Sequence, residues 1–154
     1  MTQRLNPYKV APEMINPVMA MEEAVKSSGL EMSLLHLVKI RASQINGCAY
    51  CVHMHTQEAR QDGEREDRVH MVAAWWESSL YTPHERAALA WTDALTRLPD
   101  SHAGDDAYEP LGAQFTEAEI VKLTLAIATI NVWNRLAVGF RFKHPGKWTA
   151  SRAT

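Results

Sequence analysis

The stretch that most constrains this chain is KLTLAIATINVWNRLAVGF, residues 122–140, which is apolar on nearly every side of a helical wheel and so has to be covered by other elements. Just before it, Thr116-Glu-Ala-Glu119 has the form of a capping box, in which a hydroxyl and a carboxylate three residues apart satisfy each other's backbone N–H groups. Together they predict a long central helix. No segment alternates with period two for long, and glycine and proline fall between helical stretches, so the fold class is all-α. With 154 residues, 46% of them hydrophobic, the chain can bury one core and not comfortably two.

Pro7, Pro12 and Pro17 each fix φ and withhold a donor, which predicts an extended N-terminal arm over residues 1–15, suited to lie on another subunit. Residues 16–142 form the helical domain and 143–154 a C-terminal tail. Asn16-Pro17 suits an N-cap and first helical position for a helix closed by Gly29. Glu31 to about Ser43 reads as a second, largely buried helix. Asn46-Gly47 marks a turn, with Asn46 able to cap a third helix running to Gly63 and carrying Cys48 in its first turn. A fourth helix covers 64–79, with Val69, Val72, Ala73 and Trp76 at helical spacing. Thr82-Pro-His-Glu85 is a second capping box, opening a fifth helix through Leu98, and PDSHAGDDAYEP (99–110) reads as a polar loop.

Charge excludes one class of partner. Lys and Arg total 16 against 18 Asp and Glu, a net charge of −2, so nothing favours counterion release from nucleic acid. No uninterrupted apolar run of roughly 18 residues suggests a membrane span, and the N-terminus has no secretory h-region. The cytoplasm is therefore the expected location. In that reducing compartment two cysteines three apart, Cys48 and Cys51, point to redox chemistry or to metal.

The segment QINGCAYCVHMHTQEAR (44–60) carries the chemistry. On a helix at 100° per residue, Cys48, Cys51 and His55 project within about 60° of one another, while His53 points to the far side. Cysteines at this spacing have Cα atoms about 5–6 Å apart, inside the disulfide range. A helix N-terminus and a nearby imidazole both favour thiolate over thiol, and the imidazole can move protons. Three alternatives stand beside a redox couple. Both thiols could be inert core residues. Cys48, Cys51, His55 and His36 could supply four zinc ligands. A thioredoxin-type site would need a strand before Cys48, and none is predicted. Trp75 and Trp76 point about 100° apart, making one of them a candidate subunit contact. Asn131, Asn134 and Arg135, on the apolar C-terminal helix, must find hydrogen-bond partners.

LVKIRASQINGCAYCVHMHTQEAR, ERAALAWTDALT and LTLAIATINVWNRLAVGFR together resemble the AhpD-like alkylhydroperoxidases of the carboxymuconolactone decarboxylase superfamily, over most of residues 30–140. The resemblance implies an all-helical bundle of about six to seven helices, assembled as a dimer, trimer or hexamer. It also implies a cysteine pair that reduces organic or hydrogen peroxides and closes to a disulfide, with no cofactor. An external dithiol, in some members a lipoyl-bearing protein, would then regenerate it. Carried over by position, Cys48 and Cys51 match the redox pair and His55 the histidine of CxxC-x3-H. The resemblance implies that Cys51 meets the peroxide, whereas the helix N-terminus favours Cys48 as the lower-pKa thiol, and the sequence leaves the attacking sulfur open between them. His36 stands where the family commonly has a relay glutamate. Histidine can relay protons but cannot hold His55 as imidazolium by negative charge, which predicts a weaker or differently pH-dependent peroxidase. The superfamily also contains lactone decarboxylases that use no CxxC, and a redox-sensing or zinc-binding helical module is a non-enzymatic alternative.

Overall fold

The structure is a computed structural model that describes residues 2–144. Within them the chain forms nine α-helices and no strand: α1 Pro7–Val10, α2 Pro12–Lys26, α3 Met32–Ile45, α4 Ala49–Gln61, α5 Glu66–Met71, α6 Pro83–Thr96, α7 Leu98–Ser101, α8 Asp105–Gly112 and α9 Glu117–Phe140. The all-α expectation holds, but six to seven helices is an undercount. The expected tail falls largely outside the described residues.

The additional helices come from segments expected to be irregular. The arm over 1–15 is helical from Pro7, because Pro7 and Pro12 each occupy the first turn of a helix, where a missing N–H loses nothing. Pro17 lies inside α2 rather than opening it. Residues 99–110 are split between α7 and α8. The helix expected over 64–79 stops at Met71 and passes into a 3-10 turn at Val72–Ala74. Guanidinium groups take the carbonyls this releases: Arg41 binds that of Ala73, and Arg86 those of Trp75, Trp76 and Ser78. Trp76 is left half exposed with Arg41 above its ring.

The centre of the molecule is α3, not α9. Every residue from Leu34 to Ser43 is buried, with α4, α6 and α9 packed around it. Each fully buried Leu, Val or Ile here contributes about 1.5–3 kcal/mol of transfer free energy. Each polar residue in that span reaches a partner in another segment: His36 to Asp62, Lys39 to Glu22 on α2, Arg41 to both oxygens of Asp93 on α6, and Ser43 to Asn134 on α9. Removing one partner of a buried ion pair is costly, so these contacts set how each neighbour seats on α3.

Both capping boxes form, at Thr82–Glu85 and Thr116–Glu119. Helix α9 is long and apolar enough to cross a membrane by length and composition, with mean hydropathy 1.3, which corrects the expectation that no segment is. One of its sides packs on α2, α3, α4 and α6. The other leaves Val121, Leu125 and Val138 exposed, so it is not covered all round.

Candidate active site

The α3–α4 junction sets the sulfurs. Helix α3 ends at Asn46, Gly47 turns the chain at φ +64°, and α4 restarts two residues later. A side chain at that φ is strained, so glycine allows the two helices to be joined this tightly. Asn46 closes α3 rather than opening α4, and Cys48 is itself the N-cap of α4, one position before the expected first turn. Its Sγ accepts the backbone N–H of Cys51 at 3.3 Å.

Both thiols are free and buried, with their Sγ atoms 2.6 Å apart in a thiol–thiol hydrogen bond. That separation is within about 0.6 Å of a covalent S–S bond. The hydrogen bond from the Cys51 thiol, above all, brings Cys48 down to about 7, helped by the Cys51 backbone N–H and the Asn134 amide against the opposing effect of burial. Cys51 is pushed well up, first because its proton is held in that bond and then by burial and the neighbouring negative charge. Near neutrality about half of Cys48 is thus thiolate, while Cys51 keeps its proton.

Asn134 is a site residue that its sequence context did not single out as one. Its Nδ2 donates to Ser43 Oγ at 3.0 Å and its amide also favours thiolate at both sulfurs, while its Oδ1 accepts from Asn46 Nδ2 at 2.8 Å. Asn46 donates to Asn131 Oδ1 at 3.0 Å as well, and Asn131 donates onward to Thr96. Arg135 binds the carbonyl and side-chain oxygens of Asn131. The three polar residues of α9 thereby find the partners their setting requires.

His55 is buried on α4, and its Nδ1 lies 2.8 Å from Glu58 Oε2. With a carboxylate as acceptor, Nδ1 is the donor, which leaves Nε2 for proton transfer. The His55 contact, with help from Lys39 and Lys26, holds the Glu58 carboxyl below its usual range. Glu58 therefore supplies the negative charge that His36 could not, and its spacing of three residues from His55 was the available signal. His36 itself is not brought to the sulfurs. Its Nε2 binds Asp62 Oδ2 at 2.7 Å, at the other end of α4, roughly 16 Å of helix rise from Cys51. The four-ligand zinc set is likewise not assembled: among the described residues no three His, Cys, Asp or Glu side chains gather as metal ligands. His53 faces away and packs against His144.

Cys51 and His55 line a cavity of about 270 Å³ with Met19, Met54 and the rings of Tyr8, Tyr50, Trp133 and Phe142. Tyr8 stacks on Trp133 at 6.4 Å, and Phe142 meets Tyr50 edge-on at 5.5 Å. Glu22, Glu23, Lys26 and Glu58 complete the lining. The arrangement offers a proton-carrying sulfur, an oriented imidazole beside it and an apolar wall, as reduction of a small organic oxidant requires.

The sequence model of the carboxymuconolactone decarboxylase family matches residues 12–94. The uncharacterized protein YdfG of Bacillus subtilis strain 168 is 40% identical over 90% of this chain and 94% of its own length. The uncharacterized protein YnjA of Escherichia coli K12 is 30% identical over 70% of this chain and 58% of its own. The crystal structure of a protein of unknown function from Agrobacterium tumefaciens, whose name proposes an AhpD antioxidant defence protein, superposes with a TM-score of 0.92 at 51% identity, covering 95% of this chain and all of that one. The debrominase Bmp8 shares the fold, with a TM-score of 0.79 at 19% identity over 86% of this chain and 72% of its own.

Proposed function

The chain belongs to the AhpD-like branch of the carboxymuconolactone decarboxylase family, and from that premise we propose that it is a thiol peroxidase that reduces organic or hydrogen peroxides through Cys48 and Cys51. One observation carries the reading: two free sulfurs 2.6 Å apart, one of which, Cys51, shares a cavity with the His55–Glu58 pair. The name given to the 51% identical Agrobacterium protein is in accord with it.

The steps follow from where the proton sits. It passes from Cys51 to Cys48 across the sulfur–sulfur contact, leaving thiolate on the atom that faces the cavity. Cys51 attacks the peroxide O–O bond, the O–O pair departs as alkoxide, and His55, held by Glu58, protonates it to the alcohol. The Cys51 sulfenic acid is then displaced by Cys48, which loses its proton as hydroxide leaves as water, and the disulfide forms. An external dithiol restores both thiols. His36 has a positioning role in this scheme, tying α3 to the end of α4. A cytoplasmic location suits a dithiol that must be kept reduced. Val10, Met14, Val121, Leu125 and Val138 are exposed apolar side chains of the kind a homo-oligomer would cover.

The test is thiol titration before and after one equivalent of cumene hydroperoxide, with mass spectrometry of the product. Loss of two thiols and two hydrogens between Cys48 and Cys51 is expected; unchanged thiols would overturn the proposal.

A further inference from the structure

The two sulfurs open onto different cavities of opposite charge. Cys51 lines the cavity already described, in which Glu22, Glu23 and Glu58 outnumber the one lysine of the lining, Lys26, and Lys39 bound to Glu22 behind it. Cys48 lines a second, of about 430 Å³, with Arg141, Lys143 and His144 around it and no acidic residue in its lining. Tyr50, Ala137 and Phe142 border both and form the partition between them. The end of α9 builds this second mouth. Arg141 takes a left-handed conformation at φ 56°, and the N–H of Phe142 reaches back to the carbonyl of Ala137 at 2.9 Å. That closure folds Phe142 inward against Tyr8 and Tyr50 and leaves Arg141 and Lys143 exposed.

We propose that the dithiol is served from two sides: the oxidant reaches Cys51 through the acidic, aromatic cavity, and the reductant, a small anionic dithiol, reaches Cys48 through the cationic one. This rests on the peroxidase reading for the origin of the disulfide, but not for the charge at each sulfur. In the reductive step a reductant thiolate attacks Cys48 Sγ and forms a mixed disulfide, and the Cys48–Cys51 bond breaks with its electron pair going to Cys51, which takes a proton from solvent by way of His55. The second reductant thiol, giving up its proton to solvent, then attacks the first reductant sulfur, closes the reductant's own disulfide and expels Cys48 as thiolate. Two electrons pass to the protein. Cys48 suits that last role because low-pKa thiols leave faster and its charge is met by the Cys51 N–H and Asn134.

Two measurements test it. In Cys51→Ser and Cys48→Ser, each with one thiol left, the rates of modification by the anionic sulfonatoethyl and the cationic trimethylammonioethyl methanethiosulfonates are compared. The anion-to-cation ratio at Cys48 should exceed that at Cys51 by about threefold or more. Equal ratios, or the reverse order, would overturn the proposal, and no peroxide chemistry enters this result. In the unsubstituted chain oxidised with diamide, dihydrolipoate should reduce the disulfide about threefold to tenfold faster than neutral dihydrolipoamide at low salt. The advantage should shrink toward unity in roughly 0.5 M salt and in Arg141→Gln/Lys143→Gln. Equal rates for the two dithiols at low salt would refute the assignment even if the double variant failed to fold.

Discussion

The acidity of Cys48 depends first on a donor that the site can lose by one substitution. The Cys51 thiol is the largest of the influences that bring Cys48 to about 7. Cys51→Ala removes it, whereas Cys51→Ser keeps a hydroxyl donor in its place. A hydrogen bond to a charged acceptor contributes about 1.5–3 kcal/mol, or roughly one to two pKa units. The stabilised form is the thiolate, so loss of the donor raises the pKa. Cys48 in Cys51→Ala should then titrate near ~8–9 and in Cys51→Ser stay within about one unit of the starting value. At pH 7 the thiolate fraction would fall from about one half to about 1–10% in the alanine variant, and at pH 10 the variants should differ little. Because nucleophilicity rises with pKa at a slope near 0.5, alkylation at pH 7 falls only about threefold for a tenfold loss of thiolate. Absorbance at 240 nm against pH is therefore the primary assay, with iodoacetamide kinetics as a check. A Cys48 midpoint that stays at 7 in Cys51→Ala would refute the donor argument, and a Cys51 midpoint in Cys48→Ala below it would reverse the order of the two sulfurs.

Glu58→Gln should slow oxidation by cumene hydroperoxide about tenfold, part of the ~10²–10⁴ that a positioned acid supplies, whereas Asp62→Asn, acting on His36, should change it less than twofold; stopped-flow thiol loss reads both. Gly47→Ala should destabilise by about 1–2 kcal/mol in urea denaturation, and because a Cβ there meets nothing within 4 Å, the whole effect would be conformational. Asp93→Asn should destabilise by about 3–5 kcal/mol by leaving the buried Arg41 guanidinium without its charge partner, seen in the same denaturation midpoint.

What could be read from the sequence divides along physical lines. Capping boxes are local chemistry, and both formed where Thr82 and Thr116 announced them. Apolar stretches located α3 and α9, the Asn46-Gly47 turn signal α4 and the Thr82 box α6, and the angular argument grouped Cys48, Cys51 and His55, of which Cys51 and His55 line one cavity. Proline misled at the N-terminus because its cost depends on where it falls in a helix, and at Pro7 and Pro12 that position costs nothing. The early stop at Met71 depends on Arg41 and Arg86, which come from other parts of the chain. Asn134 lies 83 residues from Cys51 in sequence, and no local pattern links it to the thiols. Glu58 was in reach at three residues from His55, but comparison with a relay position drew the reading to His36 instead.

The amide and hydroxyl cluster of Ser43, Asn46, Asn131 and Asn134 ties α9 to the turn that carries Cys48, and it does so without a single ionisable group. That brace therefore keeps its hydrogen bonds from acid to alkaline conditions, whatever the carboxylates and imidazoles of the cavities do. A pH profile measured on this protein then records the thiols, their imidazole and the charged side chains of the two cavities, and not a rearrangement of the brace that seats Cys48.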